Sequence, residues 1–234
     1  MGKAFKQGTV LPHRPLERLS PAAMTVTGDL KMPLTLLERR MTLVRLRDGR
    51  LVVYSALALD PQQVRVLEDF GTPAFLVVPN HLHRNDAFSW KQRYPTLNVV
   101  APSGARTQVE EVVPVDTCTP DFGEDSVRFV ELPGTASRES PLEEREGERL
   151  TLVLNDIVGN LPKSDGVVLR ALGFAGDQPR VPRMVNEALV KNAGALRAQF
   201  EAWAEQPVAC TLVSHGRPIL ERAPEVLRSL ARSL

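Results

Sequence analysis

Three apolar runs, each closed by a histidine or an aspartate, constrain this chain more than any other feature. Phe75-Leu76-Val77-Val78 ends at Pro79 and leads into Asn80-His81-Leu82-His83-Arg84-Asn85-Asp86. Leu150-Thr151-Leu152-Val153-Leu154 ends in Asn155-Asp156, and Val208-Ala209-Cys210-Thr211-Leu212-Val213 ends in Ser214-His215-Gly216. Short apolar runs of this kind, bounded by turn residues, read as buried strands. Where such strands alternate with helices the chain builds an α/β sheet, and ligands collect at the carboxyl ends of its strands. Three of the four histidines stand at those ends.

The intervening segments supply the alternation. Met41–Arg47 and Arg50–Tyr54 flank Asp48-Gly49, which predicts a hairpin with a type I′ turn. Asp60-Pro61-Gln62-Gln63 opens a helix: Asp60 caps, Pro61 suits the first position, and Gln63 completes a capping box. Val64, Leu67 and Phe70 form its apolar face, and Gly71 ends it. A short helix over 87–94 and a strand over 97–100 make a parallel crossover with the strand before them. Val185, Leu189, Asn192, Ala193, Leu196, Phe200 and Trp203 recur at helical spacing and predict one long amphipathic helix. A closing helix starts near Pro224. The hydrophilic stretch 137–149 reads as an exposed loop or hairpin tip. Residues 1–32 read as an N-terminal arm with one short strand, Met24–Thr27, before a single domain. His13, between two prolines, reads as an exposed loop histidine.

Composition excludes several classes. A net charge of +1 offers no general attraction to nucleic acid or to an anionic membrane. The two cysteines, Cys118 and Cys210, fall in no C-x-x-C pair and cannot form a disulfide framework, so both read as free thiols in a reducing compartment. The first residues lack the apolar run of a signal peptide, and Lys6 stands where a myristoylation motif after Gly2 needs Ser or Thr. No run is long enough to span a membrane. The expectation is a cytoplasmic protein acting on a small-molecule substrate or ligand; nothing in the sequence specifies an oligomeric state.

The residues at the strand ends suit a metal. Imidazole and carboxylate are the usual ligands of zinc and of non-haem iron or manganese. In an extended loop His81 and His83 point to one side, with Asp86, Asp156 and His215 as further ligands. Each also has a structural role open to it. Asp86 can cap the following helix, Asp156 can cap a turn, and His215 can bond to backbone.

The order H-x-H-x-x-D, then a strand-terminal Asp, then a strand-terminal His-Gly, resembles the metallo-β-lactamase superfamily. Pro79-Asn80, the Trp90-Lys91 stretch, Tyr94-Pro95 and Ala101-Pro102 are similar to its DUF4336-type branch. The resemblance covers roughly residues 35–220. It implies a four-layer αββα sandwich with the site on one edge. It also implies metal ligands at His81, His83, Asp86, Asp156 and His215, with Asp86 and Asp156 as the catalytic carboxylates. Against the superfamily's H-x-H-x-D-H pattern, Asn85 replaces the Asp and Asp86 the following His. The stretch Glu131–Ala136 lacks the histidine found there in the family. Two functions follow. One is a metal-dependent hydrolase with a modified site, holding zinc, iron or manganese and attacking an ester, lactone, thioester or phosphodiester. The other is a non-catalytic binding or interaction protein of the same fold that needs no metal.

Overall fold

The structure is a computed structural model that describes residues 9–32, 35–162 and 166–234. Gly2 and Lys6 lie outside them. Contacts divide the chain into two compact units, Met1–Leu30 with Arg39–Glu124 and Lys31–Glu38 with Asp125–Leu234.

The first sheet runs in the order β1 (Glu17–Arg18), β2 (Ala23–Met32), β3 (Thr35–Arg45), β4 (Arg50–Tyr54), β5 (Thr72–Val77), β6 (Asn98–Val100). Helix α1 (Pro61–Phe70) links β4 to β5 and α2 (Ala87–Arg93) links β5 to β6, and both strand pairs are parallel. The alternation read from the sequence is therefore present. A short α3 (Arg106–Glu110) follows. Leu43, Leu51, Val53, Leu67, Leu76 and Val99 are fully buried at its core. Residues 23–32 do more than the short strand expected of them: β2 spans ten residues, with Met24 and Val26 in the core.

Local chemistry explains the joints. Asp60 accepts from the Gln62 and Gln63 amides, as its capping role requires. The Gln63 side chain does not complete a capping box; its Oε1 accepts from the Leu16 amide at 2.7 Å. The hairpin turn also differs from type I′. Only Gly49 of the central pair has positive φ, the Gly49 amide donates to Leu46 O, and the Leu46 amide to Arg50 O. That is a type I turn closed by a left-handed glycine bulge, the form taken by a three-residue loop. Gly71 is extended at φ 172 rather than left-handed, and its role is close approach: a Cβ there would lie 2.5 Å from Gly49 O. His13 is not exposed. Its side chain is 5% accessible, and its Nε2 accepts from the Asp60 amide.

The second sheet centres on β9. Strands β7 (Val127–Phe129), β8 (Leu142–Glu146) and β9 (Arg149–Pro162) form an antiparallel series. Helix α4 (Val167–Ala171) precedes β10 (Ala175–Gly176), which pairs parallel with the end of β9. Then come α5 (Arg183–Leu189), α6 (Ala193–Ala204), β11 (Val208–Gly216), parallel to β9, and α7 (Ala223–Arg232). The long helix expected over 185–203 is two helices. Gly134 explains the break: its carbonyl accepts from the Lys191 and Asn192 amides, and a Cβ on it would lie 2.3 Å from Asn192 O. Asn192 then caps α6 through the Ala195 amide.

The charged stretch 137–149 departs furthest from expectation. Only 146–149 are exposed, whereas Glu139, Ser140, Glu143 and Glu144 are buried. Partners distant in sequence account for two of these. Glu143 accepts from the Trp203 indole at 2.7 Å, and Glu139 from the Ile157 amide at 2.9 Å. Among the described residues, no helix is long and apolar enough to cross a membrane. Removing the α1 cap in Asp60→Ala should cost about 1 kcal/mol, read as a lower urea midpoint with an unchanged slope.

Candidate metal centre

In the first unit β5 delivers the histidine loop, and Asn80 shapes it. The Asn80 side chain is fully buried and accepts from the Leu82 and His83 amides at 2.8 and 3.2 Å. Those bonds wind His81–His83 into a single 3₁₀ turn. At about three residues per turn, positions two apart are separated by about 120° around the axis. The loop is therefore wound rather than extended, and extended backbone is the form on which the alternating reading of His81 and His83 rested. His83 Nδ1 lies 2.7 Å from the Ser55 hydroxyl, which follows directly on β4.

Asp86 does not cap α2. Its carboxylate pairs with the Arg39 guanidinium at 2.7 Å, and both side chains are at most 10% accessible. Burial raises the Asp86 pKa above the usual aspartate value, opposed by the Arg39 charge and by bonds from Arg39 and the Ala58 backbone. Among the five expected ligands, this one is already committed to a cation.

In the second unit Asp156 does not terminate a strand, contrary to expectation. β9 runs on to Pro162, and Asp156 lies in a bulge: Leu154 pairs with Val213 and Gly159 with His215, so residues 155–158 stand opposite Ser214 alone. Bulges re-aim side chains next to functional sites. Glu139 accepts from the Ile157 amide inside this one, which makes the glutamate a support for the bulge. His215, in the last residues of β11, is 59 positions from Asp156, yet its Nε2 lies 2.8 Å from Asp156 Oδ1. Its Nδ1 lies 2.7 Å from Glu38 O, and the ring packs edge-on against Phe174.

These contacts fix the chemistry of the pair. A carbonyl oxygen only accepts, so His215 Nδ1 carries the proton donated to Glu38 O. In the neutral ring Nε2 then presents a lone pair to a carboxylate oxygen. Asp156 Oδ1 and this nitrogen, 2.8 Å apart, then share either a proton or a metal ion. The donor set suits a metal: an imidazole nitrogen whose other nitrogen is anchored to a backbone carbonyl, and a carboxylate beside it.

Several of these residues were not singled out by sequence reasoning. Ser55, like the histidines, ends an apolar run, Leu51–Tyr54, and that position was its signal. Arg39 and Arg40 interrupt β3 with two buried charges, and the Glu38 carbonyl carried no signal at all.

No protein-family model matches the chain, and no curated protein matches it. Solved structures do. A metallo-β-lactamase, FIM-1 from Pseudomonas aeruginosa in its mono-zinc form, aligns over 96% of both chains with a TM-score of 0.66 and 10% identity. A metallo-β-lactamase from Hirschia baltica aligns over 93% of this chain and 98% of its own, at 0.61 and 12%. DIM-1, a metallo-β-lactamase exposed to ceftazidime, aligns over 96% and 99%, at 0.62 and 13%. The chain has the metallo-β-lactamase fold.

The Arg39–Asp86 pair yields a pH-dependent expectation. Arg39→Met strands a buried carboxylate and should cost about 3–5 kcal/mol at neutral pH. Because the folded pKa of Asp86 is raised, the folded state holds its proton more tightly than the unfolded chain does. Stability from that proton is present at low pH and lost as the pH rises through the raised value. The penalty in Arg39→Met should therefore shrink on acidification, and Arg39→Met/Asp86→Leu should recover most of it. Urea unfolding across the pH range checks both.

Proposed function

We propose that this chain is a metal-dependent hydrolase with a reduced ligand set, acting on a small ester, lactone, thioester or phosphodiester. The observation that carries the reading is His215 Nε2 facing Asp156 Oδ1 while Glu38 O holds the Nδ1 proton. We assign His83 of the first unit, and Asp156 and His215 of the second, each as a metal ligand, with zinc as the preferred ion and iron or manganese as the alternatives. A divalent cation there supplies Lewis acidity and lowers the pKa of water, which brings a hydroxide nucleophile within reach of neutral pH.

The protein groups divide the remaining work. Glu38 O fixes the His215 tautomer. Asn85, a neutral amide, cannot take a proton, and Asp86 is paired with Arg39. That leaves Asp156 as the carboxylate for proton transfer. Residues 1–234 are proposed as a single metallo-β-lactamase-like domain, similar to the DUF4336-type proteins on the Pro79–Pro102 pattern. The unpaired thiols of Cys118 and Cys210 favour a cytoplasmic setting.

Elemental analysis of protein purified without chelator or added metal tests the reading. The expected result is bound zinc, iron or manganese. His83→Ala and His215→Ala should each lower the metal content, and His81→Ala should leave it unchanged. Saturating zinc at roughly a hundred times Kd should add about 2.7 kcal/mol of stability to stripped protein. Metal-free protein with no gain in Tm on adding zinc or manganese would overturn the proposal in favour of a non-catalytic binding protein of this fold.

A further inference from the structure

Ser55 stands out among the buried polar residues. It is 2% exposed and sits where β4 ends, with its amide donating to Val77 O at the end of β5. Its backbone is left-handed, φ 57, a conformation that side chains other than Gly, Asn and Asp seldom adopt. Nothing local demands a serine there: a glycine would take the same backbone without strain. What the serine adds is a hydroxyl 2.7 Å from His83 Nδ1. Backbone strain held in place beside a functional side chain is commonly part of how that site works.

We propose that Ser55 is a positioning residue for metal binding, accepting the Nδ1 proton of His83 so that the imidazole presents Nε2 to the ion. This rests on the reading of His83 as a ligand. The strain fits the role. Parallel pairing sets Tyr54 beside Val77, just ahead of the histidine loop, and the left-handed residue Ser55 places its hydroxyl against the ring. A metal-bound imidazole whose other nitrogen donates to a fixed acceptor is held in one tautomer and one orientation, and loss of such a partner typically weakens metal affinity about 10–100-fold.

Strain and hydroxyl separate in a short variant series, with inorganic zinc as probe, a chromogenic chelator as competitor, and Tm of the metal-free protein measured alongside. Ser55→Ala keeps the strain and removes the acceptor. Ser55→Gly removes both. Ser55→Thr keeps the hydroxyl and adds a β-branch that a positive φ disfavours. Zinc affinity should fall about 10–100-fold in both Ala and Gly variants, although Ser55→Gly should melt about 2–4 °C above Ser55→Ala. Ser55→Thr should melt below the natural protein and yet bind zinc nearly as tightly. Affinity would then follow the hydroxyl and not stability. Undiminished zinc affinity in the Ala and Gly variants would overturn the role of Ser55 alone. Natural protein that binds no zinc would overturn the metal reading itself, and this inference with it.

Discussion

A buried charge without a partner costs several kcal/mol, and this protein places a carboxylate against a histidine where both are only 3% accessible. The Asp156–His215 contact brings the constraint to a point, because the Glu38 carbonyl has already claimed the one proton a neutral ring can donate. The second unit is arranged to hold these atoms. The bulge in β9 turns Asp156 out of the regular ladder, and Glu139 occupies the amide the bulge leaves behind. Phe174 closes on the ring edge.

The first unit meets the same constraint by different means. Asn80 spends its side-chain oxygen on two loop amides, so the turn at His81–His83 is set by hydrogen bonds that need no metal. Arg39 neutralises Asp86, and Ser55 holds His83. The loop's shape is therefore held by bonds within the chain. Preorganisation of this kind lowers the conformational entropy that a ligand must offset on binding.

Much of the fold was legible because its signals are local. Asp60 before Pro61 marks a helix start whose bonds reach only to Gln62 and Gln63. The parallel succession from β4 to β6 follows from apolar runs alternating with a helical pattern. The misreadings share one cause. Residues 137–149 looked exposed because their charges are dense, but Trp203, 60 positions from Glu143, supplies its partner. The 185–203 pattern is continuous in period, and only the docking of Gly134 divides it. Asp86 had the form of a cap or a ligand, and a strand distant in sequence provided an arginine instead.

The sequence by itself determined where most of the buried strands lie, that they alternate with helices, and that His81, His83 and His215 come near strand ends. These follow from periodicity and from turn chemistry, which act over a few residues. Only the tertiary structure decided which of those groups meet, which are already paired, and which proton each ring carries. His215 owes its tautomer to a carbonyl 177 positions away and its acid partner to a register shift between β9 and β11. Strand register and the packing of buried polar groups are properties of the whole chain, and no short window of residues contains them.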